Sequence, residues 1–281
     1  SFSSYGLLSI ITSLHLLRGE VNDHLTDHDF PHMSLPRALR LAGYETALFS
    51  SGNESFDHIN AFRRPADFDR YYSHDTSGIQ HPDCMRMDDR HAIETFEHWM
   101  AQRPSTGRPA DGGRRPFYAS FYLQATHFDY EVPAPWSQHY QPTPPLFGNG
   151  NGIIRIPPDV LPLLRNQYDN AMRYSDHWVG RIVEVLKSAN AYDNCVIAIT
   201  GDHGEAFMEH GLARHGVHLW EEMIHVPLIL HAGPAMRARM GGGVPRRVPD
   251  TVSGLDVAPT LTALAGIPPH PSWQGENVLA P

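Results

Sequence analysis

The chain has 281 residues, 41% of them hydrophobic and 19% charged, the balance of a folded globular protein rather than a disordered one. Its formal net charge of −9 speaks against nucleic acid as a partner, and no run of apolar residues is long enough to span a bilayer. Cys84 and Cys195 are the only cysteines, and Cys195 falls in a buried-strand pattern, so a disulfide framework is not supported.

Length allows one large α/β domain or two small ones. The chain begins at Ser1 without a Met and reads as a fragment of a longer protein. The most apolar N-terminal stretch, Tyr5 to Leu17, is interrupted by Ser9, Thr12, Ser13 and His15 and has no basic lead-in, so it is neither a span nor a signal peptide. Apolar residues at 7, 8, 10, 11 and 14 fit a helix buried on one side, with Ser3 and Ser4 as its N-caps. A helix start suits an anion, and a serine there is either a plain cap or a nucleophile. His24 and His28 stand four apart, but the flanking Asp and Pro residues favour a loop.

Ser34 and Pro36 open a helix that ends at Gly43, and Tyr44 to Phe49 reads as a strand. This is half of an α/β repeat. Residues 54–90 are weakly patterned, with aromatics expected to cover an edge of the site. A helix follows from Asp88 or Asp89 to about Met100, then a surface loop over 103–115. Phe117 to Leu123 is a strand that ends near His127, a histidine with either a structural or a site role. The Pro- and Gly-containing stretch 131–158 reads as a lid. A helix over 158–188 leads to a buried strand, Cys195 to Ile199, then a strand at 226–230 and a last helix from Asp256 to near Gly266.

The strand Cys195–Ile199 delivers Thr200-Gly201-Asp202-His203-Gly204-Glu205 to its C-terminal edge, where open α/β sheets bind ligands. Asp202 with His203 is either a turn with a capping Asp or a divalent-metal pair. As a metal pair, its imidazole favours zinc or manganese over calcium or magnesium. Glu209-His210-Gly211 and His215-Gly216 follow closely and suit an anionic substrate.

Taken in order, these segments resemble the sulfatase-like branch of the alkaline phosphatase superfamily. Ser3-Ser4-Tyr5-Gly6-Leu7-Leu8-Ser9-Ile10-Ile11-Thr12 is similar to the family's nucleophile helix. Leu41-Ala42-Gly43-Tyr44-Glu45-Thr46-Ala47 resembles its Ala-Gly-Tyr-x-Thr turn, and Thr126-His127-Phe128-Asp129-Tyr130 its Thr-His-x-Pro-Tyr element, with Asp129 in place of Pro. Thr200 to Glu205, His225-Val226-Pro227-Leu228 and Asp256-Val257-Ala258-Pro259-Thr260-Leu261 complete the pattern.

The resemblance implies an alkaline phosphatase-like three-layer αβα sandwich with a mostly parallel central sheet, formed by residues 1–281 as one catalytic domain lacking its first strand. It implies one divalent metal ion held by Asp202, His203 and Ser3, with Ser3, His127 and His215 catalytic and His127, His210 and His215 binding substrate. The expected activity is hydrolysis of a sulfuric or phosphoric ester. The alternatives are a membrane-anchored phosphoethanolamine- or phosphoglycerol-type transferase, or a non-catalytic binding descendant. The implied substrate is a sulfated or phosphorylated glycan or lipid, at an extracytoplasmic site, with membrane association through segments absent from this chain. Tyr5 and Leu7 replace the Pro and Arg of the sulfatases proper, which favours an unmodified Ser3 over formylglycine.

Overall fold

Alternate side chains of one strand reach two different cores, and that alternation defines the layers. In the computed structural model, which describes residues 3–15, 32–79, 86–103, 115–145, 155–216, 218–240, 242 and 247–280, this strand is β3 (Phe117–Tyr122). Phe117, Ala119 and Phe121 pack on one cluster, whereas Tyr118 and Tyr122 join two others on the opposite face.

The first face is covered by α5 (Asp89–Gln102) and α6 (Leu161–Ser188), counted after α1 (Ser3–Thr12), α2 (Leu35–Leu41), α3 (Ile59–Phe62) and α4 (His74–Ser77). Ala92, Ile93, Phe96, Trp99 and Met100 of α5 meet Ile182, Val185 and Leu186 of α6 there. The second face carries α1, α2, α3 and the last helix. Leu7 and Leu8 pack with Ile59 and Phe62, and Leu35 and Leu39 with Ala258 and Trp273. Helices thus cover both sides of the strands, the three-layer αβα arrangement that the sequence implied.

β1 (Glu45–Ser50) lies between β2 (Arg70–Tyr72) and β3 and is parallel to both. Ala47 pairs with Arg70 on one side and Ala119 on the other. Being interior, β1 is nearly all apolar or small, and Ala47, Leu48 and Phe49 are at most 1% exposed. The three-residue β2 falls in the stretch whose sequence showed little pattern.

β4 (Val196–Thr200) pairs instead with β7 (Leu228–Ala232), and this pair is antiparallel. Between them lie the two-residue strands β5 (Ala206–Phe207) and β6 (Ala213–Arg214), which form a small hairpin, and the helical turn α7 (Glu221–Ile224). Among the described residues β3 and β4 share no hydrogen-bonded ladder, although Cys195 and Ile197 pack on the same cluster as β3. The chain closes through α8 (Pro234–Arg239) and α9 (Val257–Leu264).

Local rules set several boundaries. Ser34 caps α2, its hydroxyl accepting from Arg37 N at 3.2 Å. The helix α1 already includes Ser3, which therefore lies in the first turn instead of capping it, and ends at Thr12, short of Leu17. The described part of 131–158 is no free lid: Val132 and Ile156 are buried with Leu164 and Tyr174 of α6. His24, His28 and Cys84 lie outside the described residues.

Candidate active site

Two backbone segments approach closely to make the site. α1 runs against the Asp202 turn without an intervening side chain. A Cβ on Gly6 would stand 2.0 Å from the Asp202 carbonyl oxygen, so only glycine permits this approach. Ser3 lies one turn earlier on the same helix face. Its Oγ lies 2.9 Å from Nε2 of His203. The turn itself is pinned from the other side, where Gly204 N donates to the Met223 carbonyl at 2.8 Å.

Three histidines share one mode of anchorage. Nδ1 of His203 donates to the Gly204 carbonyl at 2.8 Å, and Nδ1 of His127 to the Phe128 carbonyl at 2.6 Å. A carbonyl oxygen can only accept, so both rings carry their proton on Nδ1 and present Nε2 with its lone pair. Nδ1 of His215 meets Oε1 of Glu205 at 3.1 Å. The rings then gather, His203 and His215 with centroids 3.9 Å apart and His127 and His215 5.8 Å apart. Burial holds the His127 pKa below the ordinary histidine value, and the neighbouring His215 lowers it further. Burial also lowers that of His203, against the opposing pull of Asp202.

Asp202 is placed by its own turn, its Oδ1 accepting from His203 N at 3.0 Å, while Tyr122 donates its hydroxyl to Oδ2 at 3.3 Å. Burial first, and the Asp202 charge second, push the Tyr122 pKa up, so it remains a hydrogen donor. Behind the loop that follows β3, the Asp89 carboxylate accepts from Gln124 N at 2.7 Å and Ala125 N at 3.1 Å, and also from the Ser51 hydroxyl. Its burial raises its pKa to about 6.

These groups surround a cavity of about 70 Å³ lined by Ser3, Tyr122, Gln124, Thr126, His127, Tyr168, Asp202, His203, Glu205 and His215, among others. A cavity of this size holds more than one water, so it has room for a tetrahedral anion head. Ser3, His127, Asp202, His203 and His215 thus meet around one space. His210 does not line it. Its side chain is 52% exposed, bonded to Glu222 at 2.7 Å and stacked on Trp220 with centroids 4.5 Å apart.

Sequence reasoning passed over Tyr122, Tyr168 and Glu205. Glu205 stood in the metal motif, two residues past His203, and Tyr122 ended the strand leading to His127, so position alone could have flagged both. Tyr168 comes from the N-terminal third of α6 and carries no local signal.

The donor set of Asp202 carboxylate, His203 Nε2 and Ser3 Oγ mixes oxygen with imidazole and fits a divalent ion of the zinc or manganese kind. The His203 ring is already oriented through Nδ1, as in metal-binding histidines. Among the described residues no three His, Cys, Asp or Glu side chains form a group that could hold a metal ion, so Asp202, His203 and Ser3 would supply at most part of a coordination shell.

The family model described as Sulfatase matches residues 7–267. The chain is 27% identical over 180 residues to arylsulfatase K of Mus musculus, covering 63% of this chain and 31% of that protein. It is 23% identical over 264 residues to the lipoteichoic acid synthase-like protein YvgJ of Bacillus subtilis, covering 89% of this chain and 37% of that one. The chain therefore spans about a third of the length of these curated relatives. Among solved structures, it superposes on the lipoteichoic acid synthase LtaP of Listeria monocytogenes with a TM-score of 0.69 at 21% identity, over 99% of this chain and 64% of that one. At that identity the likeness establishes the alkaline phosphatase-like fold.

Proposed function

The chain belongs to the sulfatase family, and on that footing we propose that it forms the catalytic core of an enzyme that cleaves a sulfuric or phosphoric ester through Ser3. The observation that carries this is the 2.9 Å approach of Ser3 Oγ to His203 Nε2, in a cavity also lined by Asp202, His127 and His215. A divalent ion held by Asp202, His203 and Ser3 would supply the positive charge that favours the serine alkoxide and offsets the anionic substrate. Ser3 Oγ, its proton passed to bulk water, attacks sulfur or phosphorus in line while the bond to the leaving oxygen breaks. His215, oriented by Glu205, gives the leaving oxygen its proton and later takes one from water. His127 takes a proton from solvent on Nε2 as the anion binds and donates it in a hydrogen bond to the ester oxygens. Water then releases the group from Ser3.

A second reading differs only in the acceptor. Its support is the match along 89% of the chain to a lipoteichoic acid synthase-like protein, with Tyr5 and Leu7 in place of the sulfatase Pro and Arg. In this reading a second alcohol, on a glycan or lipid, takes the phospho-group from Ser3. Both readings put the protein outside the cytoplasm, acting on sulfated or phosphorylated glycans or lipids. No helix of the described residues is long and apolar enough to cross a membrane, so in the second reading the anchor would lie elsewhere.

The test is turnover of aryl sulfates and phosphate diesters with zinc or manganese added. Ser3→Ala should lower kcat by at least about 10³-fold, as loss of a nucleophile does, while leaving metal affinity within about tenfold. Unchanged turnover in Ser3→Ala would remove the assignment.

A further inference from the structure

Beside the cavity, but outside its lining, lies an ion pair that the mechanism above does not use. Arg86 and Asp129 have side chains only 8% and 10% exposed, and Arg86 NH2 donates to Asp129 Oδ1 at 2.6 Å. The same guanidinium donates through NH1 to the His127 carbonyl at 3.1 Å. Between these two anchor points lies Phe128, whose carbonyl receives the Nδ1 proton of His127. Arg86 therefore grips the turn on both sides of the one acceptor that fixes the His127 ring. The grip has a firm base, because Arg86 bridges to Gly52 and the next residue, Met87, donates to the Ser51 carbonyl at 2.8 Å, just beyond β1.

We propose that Arg86 and Asp129 are positioning residues that clamp the 127–129 turn and hold the His127 ring with its Nδ1–H on the Phe128 carbonyl, so that Nε2 faces the ester. A buried ion pair adds little net stability against an apolar pair of similar size. Its forked, directional bonds do fix geometry. The pair also gives Asp129 a purpose. A proline at that place would restrict the backbone by its own ring, whereas here the restriction comes from across the fold.

The inference rests on the reading of His127 as part of the ester-handling site, so the test separates the two. Nitrogen-15 spectra of the histidine side chains, with the His127 signal assigned by its loss in His127→Gln, report the tautomer directly. The wild type should show one Nδ1-protonated form. The double variant Arg86→Met/Asp129→Leu exchanges the ion pair for an apolar pair and should still melt cooperatively. Its His127 signals should average over both tautomers, and kcat should fall about 10- to 100-fold, the cost of a displaced group, with KM changed less than about threefold. Arg86→Lys keeps the charge but not the fork and should fall between. A double variant with the wild-type tautomer and wild-type kcat overturns the clamp. A wild type inert toward every ester, but with the tautomer responding as described, upholds the clamp and overturns the functional reading instead.

Discussion

Within this chain the two strand groups are closed to different degrees. In the β1–β2–β3 group the central strand is sealed on both faces, with Phe49 stacked on Phe121 at 5.6 Å and edge-on to Phe96 at 5.5 Å. In the β4–β7 pair every residue of β4 is only partly buried, and Ile229 of β7 is 52% exposed. Yet β4 carries the Asp202–His203 turn, and β1 carries no residue of the cavity. The filled half acts as a footing, and the chemistry sits on the half that is less sealed and is reached by α1, the β3 loop and the turn of residues 202–205. Precision there comes from directed hydrogen bonds and one bare backbone contact instead of from packing.

If that contrast is right, the largest single loss of stability belongs to the sealed half. Phe96→Ala, at a fully buried position, should cost about 3–5 kcal/mol in denaturant unfolding. A value below about 1 kcal/mol would show that the sealed half is not the footing. The contrast is sharpened by Gly6→Ala. Alanine favours the helix by about 1 kcal/mol, so the fold should survive, but the added Cβ must push α1 from the Asp202 turn. Turnover should fall about 100-fold with little change in melting temperature, and equal losses in both would instead make Gly6 a packing residue.

A pH series probes the anchorage of the loop that follows β3. The Asp89 pKa is raised from 3.8 to about 6, so its contribution to stability is full below about pH 4 and is lost as pH rises through about 6. The melting temperature of the wild type should therefore drop by a few degrees, relative to the non-ionising Asp89→Asn, between about pH 4 and pH 7. A flat difference would mean that the carboxylate is already ionised at low pH. The smallest effect is expected at Ile229→Ala, about 0.5 kcal/mol at an exposed site.

What could be read from sequence follows the same division. β1 and β4, α2 and α6 declare themselves through apolar runs, a capping serine and a long periodic face, all local signals. Ser3, His127, Asp202, His203 and His215 were legible as a set because each ends or begins an element and the resemblance orders them. Three kinds of feature escaped. β2 is too short and begins with Arg70, so alternation cannot reveal it. His210 carried the same His-Gly signature as His215, but only the fold shows it turned toward Glu222 and Trp220. The Arg86–Asp129 pair joins residues 43 positions apart, and nothing local to either predicts the other.

One consequence follows from the bare contact at Gly6. Residues 3 and 6 act as a ruler: one touches His203, the other lets the helix settle on the Asp202 carbonyl. Sliding α1 by one residue would bring Tyr5 or Leu7 against that oxygen, and neither can be seated. The serine hydroxyl is thereby indexed to a single detent, so lengthening or shortening the helix between these two positions by one residue should silence the site, whereas changes beyond Thr12 leave the gauge untouched.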